Sequence, residues 1–179
     1  MTNTSSPKIV VLLGMGGQGK TQLALEYCRT ARASERYQGI FWIDASSANT
    51  VSHGFEIIAT KLSGTGRVFD DTDSKIALVK ETLGRWKRPW LIVFDNYDQP
   101  REFRNIAASF PYGEAGEILM TSRHADSERL GVAIRVFAII EWVGRSVSKR
   151  FRMYLCVTLQ EPLSVSGCRG HVPASSNGA

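Results

Sequence analysis

The sequence lacks the features that mark secreted, membrane-spanning and zinc-stabilised proteins. Its 179 residues include only 3 cysteines, and Cys28, Cys156 and Cys168 are widely separated with no C-x-x-C pair, so the sequence indicates neither a disulfide framework nor zinc. No apolar run approaches the roughly 18 residues that span a bilayer, and the N-terminus MTNTSSPK is too polar and too short for a signal peptide. These absences predict a cytoplasmic protein without a membrane partner.

A strong charge of one sign is also missing. The net charge is +5: residues 1–136 carry 17 Lys and Arg against 15 Asp and Glu, whereas residues 137–179 carry 5 against 2. Few aromatic residues are interleaved with the basic residues of that final segment, so nucleic acid is an unexpected partner. The chain length and the 43% content of hydrophobic residues fit one globular domain.

Alternating strand and helix patterns run through most of the chain. Short apolar β-branched runs predict buried strands, and apolar residues at three- and four-residue spacing predict amphipathic helices. The predicted strands are 8–13, 39–44, 90–95, 116–123 and 132–140, and the predicted helices begin at Thr21, run from Val51 to Leu62, and run from Ile76 to Trp86. This alternation predicts an α/β fold with three layers and a mainly parallel five-stranded sheet.

The stretch GMGGQGKT, residues 14–21, fits two phosphate-binding patterns. Read as G-x-G-x-x-G it predicts a dinucleotide site, for which Asp44 at the end of the second strand is the candidate ribose ligand. Read as G-x-x-x-x-G-K-[ST] it predicts a triphosphate site, in which Lys20 reaches the β/γ oxygens and the Thr21 hydroxyl binds Mg²⁺. Only the second pattern assigns a function to Lys20 and Thr21.

A triphosphate site needs a second oxygen ligand for magnesium at the end of another buried strand. Asp95 ends the apolar run WLIVF and meets this requirement. Arg123 follows the apolar strand ILMTS and is expected at the same edge of the sheet, where it could reach a γ-phosphate. Asp44 is interpreted as a capping or hydrogen-bonding residue before Ser46 and Ser47.

Four segments in the expected order resemble the signal-transducing P-loop ATPases with numerous domains (STAND), in particular the NB-ARC module of fungal NOD-like receptors. They are GMGGQGKTQLALEYC, IFWIDASS, WLIVFDNYDQP and GEILMTSRH. The resemblance implies an ATP/ADP-bound regulatory switch that depends on Mg²⁺, self-associates when it exchanges nucleotide, and acts in signal transduction and innate immunity.

The resemblance also implies roles for particular residues. Lys20 would be the Walker A lysine, Asp95 the Walker B carboxylate and Arg123 the sensor of the γ-phosphate, and these three are the catalytic candidates. The metal ligands would be Thr21 and Asp95. The expected nucleotide-binding residues are Gly14, Gly16, Gly17, Gln18, Gly19, Lys20, Thr21 and Gln22.

The chain departs from the family pattern at two places. Asn96 follows the Walker B aspartate where relatives often carry a second acid, and an amide cannot serve as a general base. Asp98 could substitute for that acid, but slow or absent hydrolysis is our hypothesis, which makes the chain at most a slow ATPase. Two alternatives stay open: a small P-loop phosphotransferase, although Arg101, Arg104 and Arg129 form no recognisable lid, and an NAD-binding Rossmann domain.

The second departure is at the end of the chain. The sequence predicts a flexible N-terminus at residues 1–7, a nucleotide-binding domain at 8–136 and a basic tail of uncertain or absent structure at 137–179. That tail has no sustained helical period, and its last residues are small and polar. We expect a truncated product or a final segment that is read out of frame.

Overall fold

The regular elements of this chain follow the strand and helix alternation that the sequence predicts. The computed structural model describes residues 6–64, 71–101, 103, 105–139 and 154–159. The elements are β1 (Lys8–Leu13), α1 (Lys20–Ala33), β2 (Gly39–Asp44), α2 (Ala48–Ser63), α3 (Thr72–Gly84), β3 (Trp90–Asp95), β4 (Gly116–Ser122), β5 (Val132–Ile139) and β6 (Tyr154–Leu159), with 3₁₀ helices at Ile106–Ser109 and Ala125–Leu130.

The strands form one sheet in the order β2-β3-β4-β1-β5-β6. The pairs β2–β3, β3–β4, β4–β1 and β1–β5 are all parallel, so the predicted five-stranded parallel sheet is confirmed. A sixth strand, β6, pairs with β5 in the antiparallel direction. It lies at residues 154–159, where the sequence did not predict a strand; residues 1–5, 140–153 and 160–179 lie outside the described residues.

Helices cover both faces of the sheet, because alternate residues of each strand point to opposite sides. Leu91, Val93 and Leu119 pack with Ala24 and Ala31 of α1 in one buried cluster. On the other face the strand residues Ile92, Phe94, Ile118 and Met120 pack with α2 and α3 residues, which include Val51, Phe55, Val79 and Leu83. Helix, sheet and helix make three layers around a core on each side of the sheet.

The central strand β3 is buried along almost its whole length. Residues 90–94 are at most 1% exposed, as expected for a strand that is covered on both faces. In parallel register Leu13 lies beside Ser122 and Phe94 lies beside Met120. The carboxyl ends of β1, β3 and β4 therefore meet at one edge of the sheet.

One helix is shorter than the sequence predicts. α3 ends at Gly84, so Trp86 lies beyond the helix rather than on its apolar face. Its ring still packs against the core and contacts Phe41 of β2, with ring centroids 6.1 Å apart. The apolar spacing marks a buried residue correctly but cannot show where the helix ends.

Candidate functional site

The glycine-rich loop 14–19 connects β1 to α1 at the carboxyl edge of the sheet. Gly17 and Gly19 have φ angles of 79° and 81°, in the left-handed region that a Cβ makes unfavourable. Gly14 is glycine for a different reason, because a Cβ there would lie 2.6 Å from the Val136 carbonyl oxygen. Close packing and unusual backbone angles thus both require the glycines of this loop.

Two contacts hold the loop in shape. The Gly14 backbone N–H donates to the Ser122 carbonyl oxygen of β4 at 3.2 Å, and the Met15 backbone N–H donates to Gln18 Oε1 at 2.5 Å. The Gln18 side chain therefore braces the loop from inside. The side chain of Gln22, in the first turn of α1, is exposed.

Lys20 is the first residue of α1 and is only 9% exposed. Its ammonium donates to the carbonyl oxygens of Gly14 at 2.7 Å and Met15 at 2.9 Å, so it lies inside the curve of the loop. Burial lowers the pKa of Lys20; the charges of Asp98 and Asp95 act in the opposite direction, and the charge of Arg123 lowers it further. A phosphate at this loop would meet a desolvated cation.

Thr21 and Asp95 are in direct contact although 74 positions separate them. The Thr21 hydroxyl donates to the Asp95 carboxylate, at 3.0 Å from Oδ1 and 3.3 Å from Oδ2. The Thr121 hydroxyl, at the end of β4, donates to Asp95 Oδ1 at 2.6 Å and accepts from the Asn96 backbone N–H at 2.9 Å. Two hydroxyls therefore orient one carboxylate at the mouth of the loop.

This pair of oxygen donors fits magnesium. Mg²⁺ prefers hard oxygen ligands and is usually held by one or two carboxylates together with substrate phosphates and water. Thr21 and Asp95 supply a hydroxyl and a carboxylate side by side. In the part of the chain that the structure describes, no group of three or more His, Cys, Asp or Glu residues could hold a metal by itself.

Arg123 lies beside the glycine loop, as the sequence predicts. Its guanidinium passes over Gly16, with Nη1 3.5 Å from where a Cβ of Gly16 would be. Asp98 accepts from the Arg123 backbone N–H through Oδ1 at 2.7 Å and pairs with Nε through Oδ2 at 2.7 Å. Lys20 and Arg123 thus place two cations on the same loop.

Asn96, which follows the Walker B aspartate, and Asp98, the possible substitute acid, are differently placed. Asn96 has an exposed side chain and a φ angle of 69°, a left-handed conformation that asparagine tolerates better than most residues. Asp98, the possible substitute acid, uses both carboxylate oxygens on Arg123. Its role in the structure is therefore an ion pair, which the sequence alone did not indicate.

The strand order argues against a dinucleotide site. In a classic dinucleotide-binding fold the second strand lies next to the first, so that its terminal acid reaches the ribose. Here β3 and β4 separate β2 from β1, and Asp44 accepts from the Ser46 backbone N–H at 2.9 Å. Ser47 caps α2 through the Thr50 backbone N–H at 3.2 Å. Asp44 is thus a local hydrogen-bonding residue, as predicted.

Sequence reasoning missed one residue at this edge. Thr121 connects Asp95 to the backbone after β3, but in the sequence it looks like an ordinary strand residue. Its signal was weak: a polar residue at the end of an apolar strand, at the carboxyl edge of a parallel sheet. Arg104 lies outside the described residues, and Arg101 pairs with Asp126 at 3.5 Å.

Fold and site together define a P-loop NTPase-type α/β domain. Its marks are a glycine loop between the first strand and helix, a buried lysine, and a threonine in contact with a strand-end aspartate. The family model of the NB-ARC domain matches residues 1–152. The chain belongs to the NB-ARC domain family.

Two known proteins illustrate what the chain is similar to in sequence. A nucleotide-binding leucine-rich repeat (NLR)-like protein of Hyaloscypha variabilis is 28% identical over 151 residues, which cover 75% of this chain and 15% of that protein. Disease susceptibility protein LOV1 of Arabidopsis thaliana is 27% identical over 135 residues, or 72% of this chain and 15% of that protein. The chain thus spans about a seventh of the length of these relatives.

Among solved structures, a STAND protein with a tetratricopeptide repeat sensor from Pyrococcus horikoshii aligns with 66% of this chain and 19% of its own. The two share 20% sequence identity and a TM-score of 0.38. Within the described part of our chain, no helix is both long and apolar enough to cross a membrane.

Proposed function

We propose that this chain is the nucleotide-binding module of an NLR-type regulatory switch, which holds ATP or ADP together with Mg²⁺ and hydrolyses ATP slowly or not at all. The observation that carries the proposal is the contact between Thr21 and Asp95. It brings the loop that would hold the phosphates and the carboxylate that would hold the metal to one point. A bound Mg²⁺ would neutralise phosphate charge there.

The charges around the loop support a polyanionic ligand. Lys20 and Arg123 lie on the loop, and the N-terminus of α1 adds the positive end of a helix dipole. In this proposal Lys20 binds the β/γ oxygens, Arg123 binds the γ-phosphate, and backbone N–H groups of residues 16–19 bind the remaining oxygens. The residues act by binding and charge neutralisation.

Nucleotide binding by the 179-residue chain tests the proposal. Lys20→Ala should raise the Kd for ATP by about 10-fold or more, because a hydrogen bond between charged groups contributes about 1.5–3 kcal/mol. Lys8→Ala is the matched control, since Lys8 is an exposed lysine at the start of β1, at the opposite end of that strand. Equal Kd values for the two variants, or tight NAD binding that survives Lys20→Ala, would refute the assignment.

The metal is tested with the same binding assay. Asp95→Asn should lower the affinity for ATP in the presence of Mg²⁺ to the value that the wild type shows in EDTA. ADP that is retained through purification and identified by native mass spectrometry would further support a switch. If Mg²⁺ strengthens ATP binding to Asp95→Asn as much as to the wild type, Asp95 is not the ligand.

The proposed slow hydrolysis follows from Asn96 and Asp98, two polar residues that follow the Walker B aspartate in the sequence. Asn96 cannot accept a proton from water at neutral pH, and Asp98 is engaged with Arg123. We therefore expect single-turnover hydrolysis slower than about one per second. Faster turnover would refute this, and turnover that requires an added metabolite would instead favour a phosphotransferase.

Self-association through this domain and a cytoplasmic location complete the proposal. Self-association rests on the resemblance to NLR-type proteins, in which the module lies between other domains, and the cytoplasmic location rests on the expectation from the sequence. Light scattering of the chain with ADP and with a non-hydrolysable ATP analogue measures self-association. A monomer in both states would restrict the chain to nucleotide binding.

A further inference from the structure

Asp98 holds Arg123 at two points with a single carboxylate. Oδ1 accepts from the Arg123 backbone N–H and Oδ2 pairs with Nε, each at 2.7 Å. The Asp98 side chain is 21% exposed, whereas that of Arg123 is 60% exposed. The better-buried partner therefore fixes the backbone and the side chain of the more exposed one.

The segment that carries Asp98 is itself fixed to β4. The Tyr97 backbone N–H donates to the Thr121 carbonyl oxygen at 2.9 Å, and the Ser122 hydroxyl donates to the Tyr97 carbonyl oxygen at 2.5 Å. The Tyr97 side chain is only 1% exposed, and its hydroxyl donates to the Phe103 carbonyl oxygen at 2.6 Å. Asp98 is thus presented from an anchored backbone.

The guanidinium of Arg123 lies against the glycine loop, with Nη1, Cζ and Nε within 3.9 Å of where a Cβ of Gly16 would be. A guanidinium has five N–H donors in a rigid fork, and Asp98 forms its ion pair at Nε. Nη1 and Nη2 donate to no other residue that the structure describes, and Nη1 lies over Gly16. The ion pair therefore holds the guanidinium beside the loop at which phosphates would bind.

We infer that Asp98 is a positioning residue that aims Arg123 at the γ-phosphate and so sets the preference of the module for ATP over ADP. This inference rests on the proposed function. Ordering a long, exposed side chain costs conformational entropy when a ligand binds, and a side chain that is already held avoids that cost. ADP has no γ-phosphate, so the effect should fall on ATP alone.

The test is the ratio of the Kd values for ADP and ATP, measured with Mg²⁺ by calorimetry on the full chain. Asp98→Asn keeps the size of the side chain but puts an amide where Arg123 Nε needs an anionic acceptor. We expect the Kd for ATP to rise by about five- to tenfold and the Kd for ADP to change by less than about twofold. Glu81 of α3 forms an exposed ion pair with Arg85. Glu81→Gln removes the same charge as Asp98→Asn and should change neither Kd.

The Arg123→Ala background distinguishes two roles for Asp98: positioning of Arg123, and direct repulsion of the γ-phosphate. In Arg123→Ala the ratio should already be low, and adding Asp98→Asn should not change it further, because Asp98 would act only through Arg123. If Asp98→Asn instead tightens ATP binding, the carboxylate competes with the γ-phosphate and the inference is wrong. An unchanged ratio in a folded variant, checked by thermal unfolding, also overturns it.

Different results would contradict the proposed function and the inference about Asp98. A wild-type chain that binds neither nucleotide contradicts the proposed function, and the inference falls with it. A wild-type chain that binds both nucleotides, with a ratio that Asp98→Asn leaves unchanged, contradicts the inference alone.

Discussion

At the scale of single residues, Lys20 makes the free energy of unfolding depend on alkaline pH. Burial lowers the pKa of Lys20 below its ordinary value of 10.5, so between the folded pKa and 10.5 the unfolded chain binds more protons than the folded chain. Stability contributed at this residue therefore rises with pH in that window. The charged, desolvated ammonium is a cost at neutral pH that disappears when it loses its proton.

We predict that the stability of the wild type relative to Lys20→Met is constant near neutral pH and increases as the pH approaches about 10.5. Urea unfolding over a pH series measures this difference, in which the titration of other groups cancels. Lys8 is exposed, so the stability of the wild type relative to Lys8→Met should not change with pH. If the stability of the wild type relative to Lys20→Met fell as the pH rose, the Lys20 ammonium would be stabilised by the folded structure.

A second residue-scale feature is a half-buried polar cluster around Glu117. Arg36 Nη2 donates to Glu117 Oε1 at 2.8 Å, the Tyr37 hydroxyl donates to Oε2, and the hydroxyls of Tyr37 and Tyr27 are 2.6 Å apart. Burial acts to raise the pKa of Glu117, but the hydrogen bonds from Tyr37 and Arg36 and the Arg36 charge together lower it below its ordinary value of 4.5. The cluster thus stabilises the charged carboxylate.

We predict that Glu117→Gln lowers the free energy of unfolding by about 1–3 kcal/mol at neutral pH, because hydrogen bonds to a charged group are lost. A lowered pKa adds stability that is present above about 4.5 and is lost as the pH falls through the folded pKa, so the difference from the wild type should shrink in acid. Glu81→Gln is the control, since exposed ion pairs contribute less than about 1 kcal/mol. Equal losses in both variants would contradict the prediction.

At the scale of elements, the packing of α2 on β2 depends on a glycine inside the helix. A Cβ on Gly54 would lie 2.8 Å from Cγ2 and 3.1 Å from Cγ1 of Ile43, and Ile43 is 1% exposed. Helix propensity alone favours alanine over glycine by about 1 kcal/mol. Packing and propensity therefore predict opposite signs for the same substitution.

We predict that packing wins and that Gly54→Ala destabilises the chain by about 1–2 kcal/mol, because β-branched Ile43 is confined by the core and cannot move aside cheaply. Denaturant unfolding measures the change. Gly84→Ala is the control, because a Cβ there meets only the Tyr112 carbonyl oxygen at 3.4 Å, an ordinary contact. A stabilised Gly54→Ala variant would show that α2 can shift outward without cost.

At the scale of the whole molecule, the fold was predictable where burial and local pattern agree. WLIVFD could only be a strand covered on both faces, and the spacing of Val51, Phe55 and Ile58 could only be one face of a helix. The contact between Thr21 and Asp95 followed from placing both residues at the carboxyl edge of one parallel sheet. These inferences need no knowledge of which strands are neighbours.

Features that depend on long-range order were not predictable in the same way. β2 lies three positions from β1 in the sheet, with β3 and β4 between them, which argues against the dinucleotide site; periodicity carries no information about strand order. The Asp98–Arg123 pair depends on the left-handed turn at Asn96, and the Glu117 cluster joins residues 80 or more positions apart. Each depends on the direction in which a side chain leaves a turn or strand, which sequence spacing does not specify.

The proposed nucleotide site connects several elements, so a bound nucleotide should stabilise the domain as one unit. The loop contacts β4 through Gly14 and Ser122, α1 contacts β3 through Thr21 and Asp95, and β3 contacts β4 through Thr121. A ligand that binds only the folded state at 100 times its Kd adds about 2.7 kcal/mol. For a domain of this size that corresponds to a rise of several degrees in Tm.

We predict that ATP with Mg²⁺ raises the Tm in a single cooperative transition, and that Lys20→Ala removes this rise while Lys8→Ala retains it. Calorimetric scans at increasing nucleotide concentration measure the effect, and the Tm should increase with the logarithm of the concentration once it exceeds the Kd. A nucleotide that split the unfolding into two transitions would show that the site stabilises only the loop and α1. In that case the contacts through Ser122 and Asp95 would not couple the site to the sheet.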